Sequence, residues 1–484
     1  MPCTTILVGK KVSYDGSTII ARNDDGGYDT KKLEIVLPEN QPKKYKCTIS
    51  HLEIELPDNP LKYSSCPNVN LKNGIWGAFG INSVNVGMSA TETISTNPRV
   101  LGADPYVSLT EKTDDKEEIP GGIGEEDLVT ITLPYIKSAR EGVLRLGMLL
   151  EKYGTYESNG IAFSDENEIW WFESIGGHHW ISKRVKDSEV VIMPNQFGLD
   201  NFDFNDAYTN MNENMCSKDL KEFMESNHID CNINGTFNPR LAFGSNRDQD
   251  HIYNTPRAWY IARFLNPRKY TYDGDDAYFK PESNDIPWSI EPIKKVSIED
   301  IKYILSSHYQ GTPYNPYSKS TSAGKYRSIG VPNTDDTGIV QIRSYVPDEI
   351  KGVIWVSMGG GVFTASIPQY INVSKFPSFL GETKEDVSTD YLFWVSRLIA
   401  ALVDANYGKC VIFAERYQAE ALNKSFKIFH NTDLEFTKTK NLSLLENTNE
   451  KIAEELKTDS LKVLKRVLNI ASDNMKTRFN RSDN

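Results

Sequence analysis

A cysteine stands at position 3, and the run Arg22, Asn23, Asp24 and Asp25 collects one guanidinium and two carboxylates a short way downstream. Taken alone, a cysteine this near a chain's start is an accident of translation. Its downstream neighbours give it a chemistry. A thiol attacks a carbonyl carbon as its thiolate, and an adjacent guanidinium stabilises that anion, lowering a free-cysteine pKa of about 8.5 toward neutrality. Arg22 is the candidate for that role. If Cys3 is also freed as the first residue, its own α-amine, with an ordinary pKa of about 7.7 to 8.0, takes the thiol proton and later returns it to a leaving amine. Asp25 then holds the amine by a charge-assisted hydrogen bond, as a carboxylate orients the base in other triads. Such a site needs no catalytic histidine.

For these groups to meet, the chain must fold back between them. The β-branched segments TTILVG and STIIAR, separated by Tyr14, Asp15 and Gly16, predict a hairpin that returns the second segment beside the first. Strand-sized pieces continue through KLEIVLP, KCTISHLEIEL, GAFGIN and VGMSATETI. The pattern changes within 125–153, where Val143, Leu146 and Leu150 share one face at helical spacing before Gly154. From there to MPNQF the sequence predicts three more strands, with Asp165, Glu166 and Asn167 as a hairpin turn. Residues 200–330 are polar, with helical pieces near 218–226, 257–264 and 298–308, and are expected to build loops and one side of a pocket. A second strand block, GIVQIRSYV and KGVIWVSMGGGVFTASIPQY, precedes a helical tail from about Thr389. Strands then helices, twice over, predict an α+β fold of two packed antiparallel sheets flanked by helices. One catalytic body over 3–430 and a helical tail over 431–484 are expected, the tail fitting either packing on the body or a subunit contact.

The stretch CTTILVGKKVSYDGSTIIARNDDGG resembles the cysteine dipeptidase family, relatives of the bile salt hydrolases and penicillin V acylases within the N-terminal-nucleophile hydrolases. Further matches come in order along the chain: VNVGMSATETI, DLVTITLPYIKSAREGVLRLG, WWFESIGGHHW, MPNQF and YNTPRAWY. They cover about the first 260 residues, and VIWVSMGGGVFTASIPQY extends the likeness less sharply. The resemblance implies an αββα sandwich, Cys3 as nucleophile, Arg22 as thiolate partner and Asp25 as the carboxylate near the α-amine. It further implies that the Asn195 amide completes an oxyanion hole and that Arg257 supports the site. The acylases' second asparagine falls here around Thr91 or Glu92, and Glu92 in that place would meet the free ammonium of a dipeptide. Because Met1 and Pro2 precede Cys3, the amine mechanism requires cleavage after Pro2, by the cysteine's own attack on the preceding carbonyl. No cofactor or metal is implied. The competing readings are an N-acyl amidase of the acylase type and a catalytically silent scaffold resembling the secernins.

Bulk composition bounds the alternatives. A net charge of -12 without a long basic run opposes binding to nucleic acid or anionic membranes. With 39% hydrophobic residues the chain can bury a sizeable core, and no apolar stretch approaches the roughly 18 residues of a membrane span. Six scattered cysteines without a CxxC pair fit a reducing cytoplasm, five of them as inert buried thiols. Small peptides are the expected partners, and association into a homo-oligomer is left open. Adjacent His178 and His179 would point to opposite faces of a strand, which favours structural roles. The triple glycine at 359–361 lacks the P-loop pattern and reads as a bulge or tight turn. Glu125, Glu126 and Asp127 read as a solvated helix start, and Trp170, Trp171 and Phe172 as core and pocket wall.

Overall fold

The computed structural model describes residues 3–27, 29–233 and 235–475. Met1 and Pro2, the segment expected to be removed, lie outside the described residues, as do 476–484 of the tail. Thr4–Val8 and Thr18–Asp24 pair antiparallel with Thr4 opposite Asn23 and Thr5 opposite Arg22, the hairpin expected from their β-branched runs. They form the centre of a seven-stranded sheet in the order Ser289–Ile290, Val190–Met193, Thr4–Val8, Thr18–Asp24, Asp336–Ile342, Gly352–Met358, Ile367–Tyr370. Every neighbouring pair in it is antiparallel. A six-stranded antiparallel sheet runs Asn214–Cys216, His179–Arg184, Ile169–Ile175, Asn159–Ser164, Gly87–Thr93, Phe79–Ile81. The stretch expected to hold three strands therefore holds four, Val190–Met193 having crossed to the first sheet.

The sheets pack face to face. Thr18–Asp24 and Asp336–Ile342 lie against Gly87–Thr93, and the residues between them are almost fully excluded from solvent. Alternation along Ile169–Ile175 shows the layering directly. Trp171 enters the core between the sheets, while Trp170 and Phe172 enter a second core on the other face. That second core is closed by the helix Ala139–Tyr153 through Val143, Leu146 and Leu150, the face its spacing predicts. On the outside of the first sheet lie Leu392–Ala405, Tyr407–Thr439 and Ser443–Asp473. The order is helix, sheet, sheet, helix, as expected. The helix Tyr407–Thr439 runs straight through residue 430, and its partner Ser443–Asp473 packs back along it.

Three local expectations are corrected. Glu126 and Asp127 are not solvated but fully buried, where Tyr156 donates to Glu126 Oε2 at 2.6 Å and Tyr45 donates to Asp127 Oδ1 at 2.6 Å. Burial and the neighbouring Asp127 raise Glu126 to about 8, so a proton replaces the water that its sequence position suggested. His178 and His179 do not diverge. His178 lies in the turn ahead of the strand, so both rings reach Asp104, at 2.9 and 2.7 Å. Of the five remaining cysteines only Cys47, Cys66 and Cys410 are buried; Cys216 is half-buried and Cys231 exposed.

Candidate active site

Strand register sets the first contact. Since Thr4 faces Asn23, one further step along the ladder brings Cys3 beside Asp24, and Arg22 and Asp24 share a face two residues apart. Arg22 Nη2 lies 3.3 Å from Cys3 Sγ and 3.2 Å from Asp24 Oδ1, and Sγ lies 4.0 Å from the same oxygen. Arg22 is itself held by the carbonyl of Ala90 on the second sheet and by that of Ala78, just ahead of the sheet's edge strand. Lys31, also buried, pairs with Asp24 Oδ2 at 3.0 Å and donates to the Trp76 carbonyl at 3.2 Å. Burial favours the protonated acid, yet Lys31 and Arg22 overcome it and hold Asp24 down at about 2.

The thiol is tuned the other way. Arg22 lowers it, as its chemistry predicts, but burial is the larger effect, and Asp24, Glu92 and Glu125 add to it, so Cys3 is pushed up to about 12. With its nitrogen still in the peptide bond to Pro2, Cys3 holds its proton at neutral pH. Arg22 does pull the thiol down, as expected of a thiolate partner, but with the chain intact ahead of Cys3 burial outweighs that pull.

The second sheet contributes Glu92. Between Ala90 and Glu92 the pairing with Asn159–Ser164 shifts register, a bulge that re-aims the side chains beyond it. Glu92 is fully buried and accepts from Thr5 Oγ1 at 2.7 Å through Oε2, whereas Oε1 has no hydrogen-bond partner among the described residues. Burial raises it to about 7 against the pull of Arg257. Thr91 belongs to the same strand, but its side chain lies outside the described residues.

Asn195 and Arg257 close the other side. Arg257, from the helix Thr255–Leu265, donates to Asn195 Oδ1 at 2.7 Å, to Thr4 Oγ1 at 2.7 Å, to Asn254 Oδ1 at 2.9 Å and to the carbonyl of Cys3. With its oxygen engaged, the Asn195 amide must present nitrogen on the other side, and Nδ2 donates to the Thr93 carbonyl at 2.9 Å. Asn254 donates to the Asn195 carbonyl at 3.0 Å and to Asp250 at 2.7 Å, which locks the amide from behind. A cleft of about 210 Å³ opens here, lined by Thr93, Ser95, Asn195, Tyr253 and Asn254. Burial lowers Arg257 to about 10, and the guanidinium stays charged at neutral pH.

Asp25 lies beyond the strand end. Its carboxylate is taken by Arg327 and by Thr334, whose hydroxyl donates to Oδ1 at 2.5 Å, and its charge acts on both Glu92 and Arg257. Cys3, Arg22, Asn195, Arg257 and Glu92 thus converge, and Asp25 joins through charge rather than by contact with the thiol. Lys31, Asn254 and Arg327 are partners that sequence reading did not single out, and Asp24 was named in the run after Cys3 without a role of its own. Asp24 alone had a visible signal, since it shares the face of Arg22 at a spacing of two. Among the described residues no three His, Cys, Asp or Glu side chains are grouped to hold a metal ion.

A family model, peptidase family C69, matches residues 2–420. The chain belongs to peptidase family C69. Its relatives span nearly the same length. A dipeptidase of Bifidobacterium longum is 53% identical over 90% of this chain and 83% of its own. A probable dipeptidase A of Streptococcus pyogenes serotype M3 is 46% identical over all of both chains. Dipeptidase A of Lactobacillus helveticus is 44% identical over 91% and 89%. In this C69 peptidase the matched span includes every site residue described above. It ends within Tyr407–Thr439, so the last helix lies outside it.

Proposed function

We propose that this peptidase hydrolyses dipeptides through a cysteinyl acyl-enzyme, with Cys3 as nucleophile once Met1 and Pro2 have been removed. The observation that carries the reading is the 3.3 Å approach of Arg22 to the Cys3 sulfur, in a buried cluster that otherwise keeps the thiol protonated. Cleavage after Pro2 gives Cys3 a free α-amine next to its own sulfur, supplying the base that the cluster lacks. That amine takes the thiol proton while Arg22 stabilises the thiolate. The sulfur attacks the peptide carbonyl, the Asn195 amide and a backbone N–H stabilise the tetrahedral oxyanion, and the ammonium returns the proton to the departing amine. Water then attacks the thioester and frees the enzyme. Asp25, through its charge, and Arg257, through its grip on the Cys3 carbonyl and Asn195, keep these groups in place. The buried Oε1 of Glu92, which has no hydrogen-bond partner among the described residues, is the anion offered to the substrate's own ammonium, and it selects short peptides with an unblocked amino terminus.

The test compares wild type with Cys3→Ala by intact mass, amino-terminal sequencing and hydrolysis of a dipeptide and its N-acetyl derivative. The wild type is expected to begin at Cys3 and to cleave only the unblocked peptide; Cys3→Ala is expected to keep Pro2 and to be inactive. An active wild type that keeps Pro2 sinks the α-amine mechanism, and ready cleavage of the acetylated substrate sinks the role of Glu92.

A further inference from the structure

A second, separate cavity of about 280 Å³ lies on the helical side of the first sheet, between Ile298–Leu305 and Tyr407–Thr439. Cys3, Arg22 and Asp24 face the other sheet; toward this side the strand presents Asn23, which donates to the Leu305 carbonyl at 2.7 Å. The cavity wall is apolar along Val362, Phe363, Ala414 and Leu422, and a single buried amine, Lys302, enters it. Only 7% of Lys302 is exposed. Its Nζ donates to Ser306 Oγ at 2.9 Å and to the Gly361 carbonyl, both uncharged acceptors.

The triple glycine at 359–361 is the reason that carbonyl is there. Gly359 and Gly360 take φ of +71° and +123°, and the tight turn they make, pinned by Gly360 N–H on the Thr334 carbonyl at 2.8 Å, delivers Gly361 to the amine. No carboxylate among the described residues forms an ion pair with Lys302. The other titratable groups around the cavity are Glu299, Tyr303, His308 and Glu415, of which His308 bonds Tyr407 at 2.9 Å and the two glutamates are exposed. Burial, acting without any counter-charge, pulls the Lys302 amine down to about 7. A buried ammonium without an anion is expensive, and an apolar wall beside it leaves room for what it lacks.

We infer that this cavity binds a small carboxylate with an apolar tail, the carboxylate on Lys302 Nζ and the tail on Val362, Phe363 and Leu422. Two sources share that chemistry, simple aliphatic acids and free apolar amino acids. The experiment is calorimetric titration of the full chain with 4-methylpentanoate, with leucine and with uncharged 4-methylpentanamide, at pH 8 in two buffers of different ionisation enthalpy. Both or either acid is expected to bind and the amide to fail. Because most of the amine is neutral at pH 8, carboxylate binding is expected to take up close to one proton. Lys302→Met is expected to weaken the acids by about ten- to a hundredfold and to abolish the uptake. Leu422→Trp, which fills the wall and leaves the amine, is expected to block them too. Leucine binding more tightly than 4-methylpentanoate identifies amino acids as the ligand class, and the reverse identifies simple acids. No binding of either acid at millimolar concentration, equal binding of the amide, binding without proton uptake, or unchanged binding in Leu422→Trp overturns the assignment. If Lys302→Met does not fold, the acid-against-amide comparison and the wall variant decide.

Discussion

One nitrogen of Arg22 lies 3.3 Å from the thiol and 3.2 Å from Asp24, so the charge that stabilises a thiolate is shared with a carboxylate. Arg22→Lys keeps a charge but loses the planar fork that also reaches the carbonyls of Ala78 and Ala90. It is expected to lower kcat/KM on a dipeptide by about a hundredfold or more, with the alkaline shift in the pH profile that a less stabilised thiolate requires. Asp24→Asn leaves Lys31 buried without its anion and is expected to cost about 3 to 5 kcal/mol of stability by denaturant titration. Asp24 is held at about 2, below its ordinary value near 3.8, so its stabilisation is present above pH 4 and is lost as pH falls through about 2. Glu92 has the opposite sign. Burial raises it from 4.5 to about 7, so the folded state binds its proton more tightly and stability falls as pH rises across that window. Glu92→Gln is therefore expected to melt higher than wild type at pH 8 and to lose that advantage at pH 5, while losing activity on unblocked dipeptides.

At the scale of elements, the site depends on how closely two sheets approach. Gly338 sits in the first sheet, and a Cβ there would lie 2.2 Å from the Phe79 ring of the second. Gly338→Val is expected to force the layers apart and to cost about 1 to 3 kcal/mol, read as a lower Tm. Activity is expected to fall further than folding, because Glu92 and the Ala90 carbonyl that holds Arg22 come from one sheet and Cys3 from the other. The bulge at 90–92 has the same standing. Without its extra residue, period-two alternation would turn Glu92 to the other face of the strand.

At the scale of the whole molecule, the last helix completes the first sheet. Asn449 accepts from the Tyr370 N–H and donates to the Tyr370 carbonyl, both at 2.9 Å, so a side-chain amide satisfies the backbone of the sheet's edge strand. Arg343, buried, pairs with Asp433 at 2.5 Å and lies over the Phe429 ring at 4.5 Å. Deleting 440–484 would remove the helix that carries Leu445, Ile452, Leu456 and Val467, expose the surface those side chains cover, and take the Asn449 amide away from the Tyr370 backbone. That truncation is expected to cost on the order of 5 kcal/mol or more, and Asn449→Ala alone about 1 to 3 kcal/mol, both by denaturant titration. Among the described residues no helix is long and apolar enough to cross a membrane.

Local pattern by itself determined a good deal of this molecule. β-branched runs and helical spacing predict the hairpin, the layers and the helix Ala139–Tyr153, because the periods of two and 3.6 are written residue by residue. Cys3 and Arg22 were legible for a related reason: strand register carries one to the other over a short loop. Only the tertiary structure decided the electrostatics. Whether Glu126 meets water or Tyr156, whether a thiol beside Arg22 sits above or below its ordinary pKa, and which carboxylate lies next to the sulfur depend on burial and on partners distant in the chain. Lys31 and Arg327 carry no local sign of their roles, since an ion pair needs only proximity in space. Desolvation is a property of the whole packed environment, and no spacing of residues along a chain encodes it.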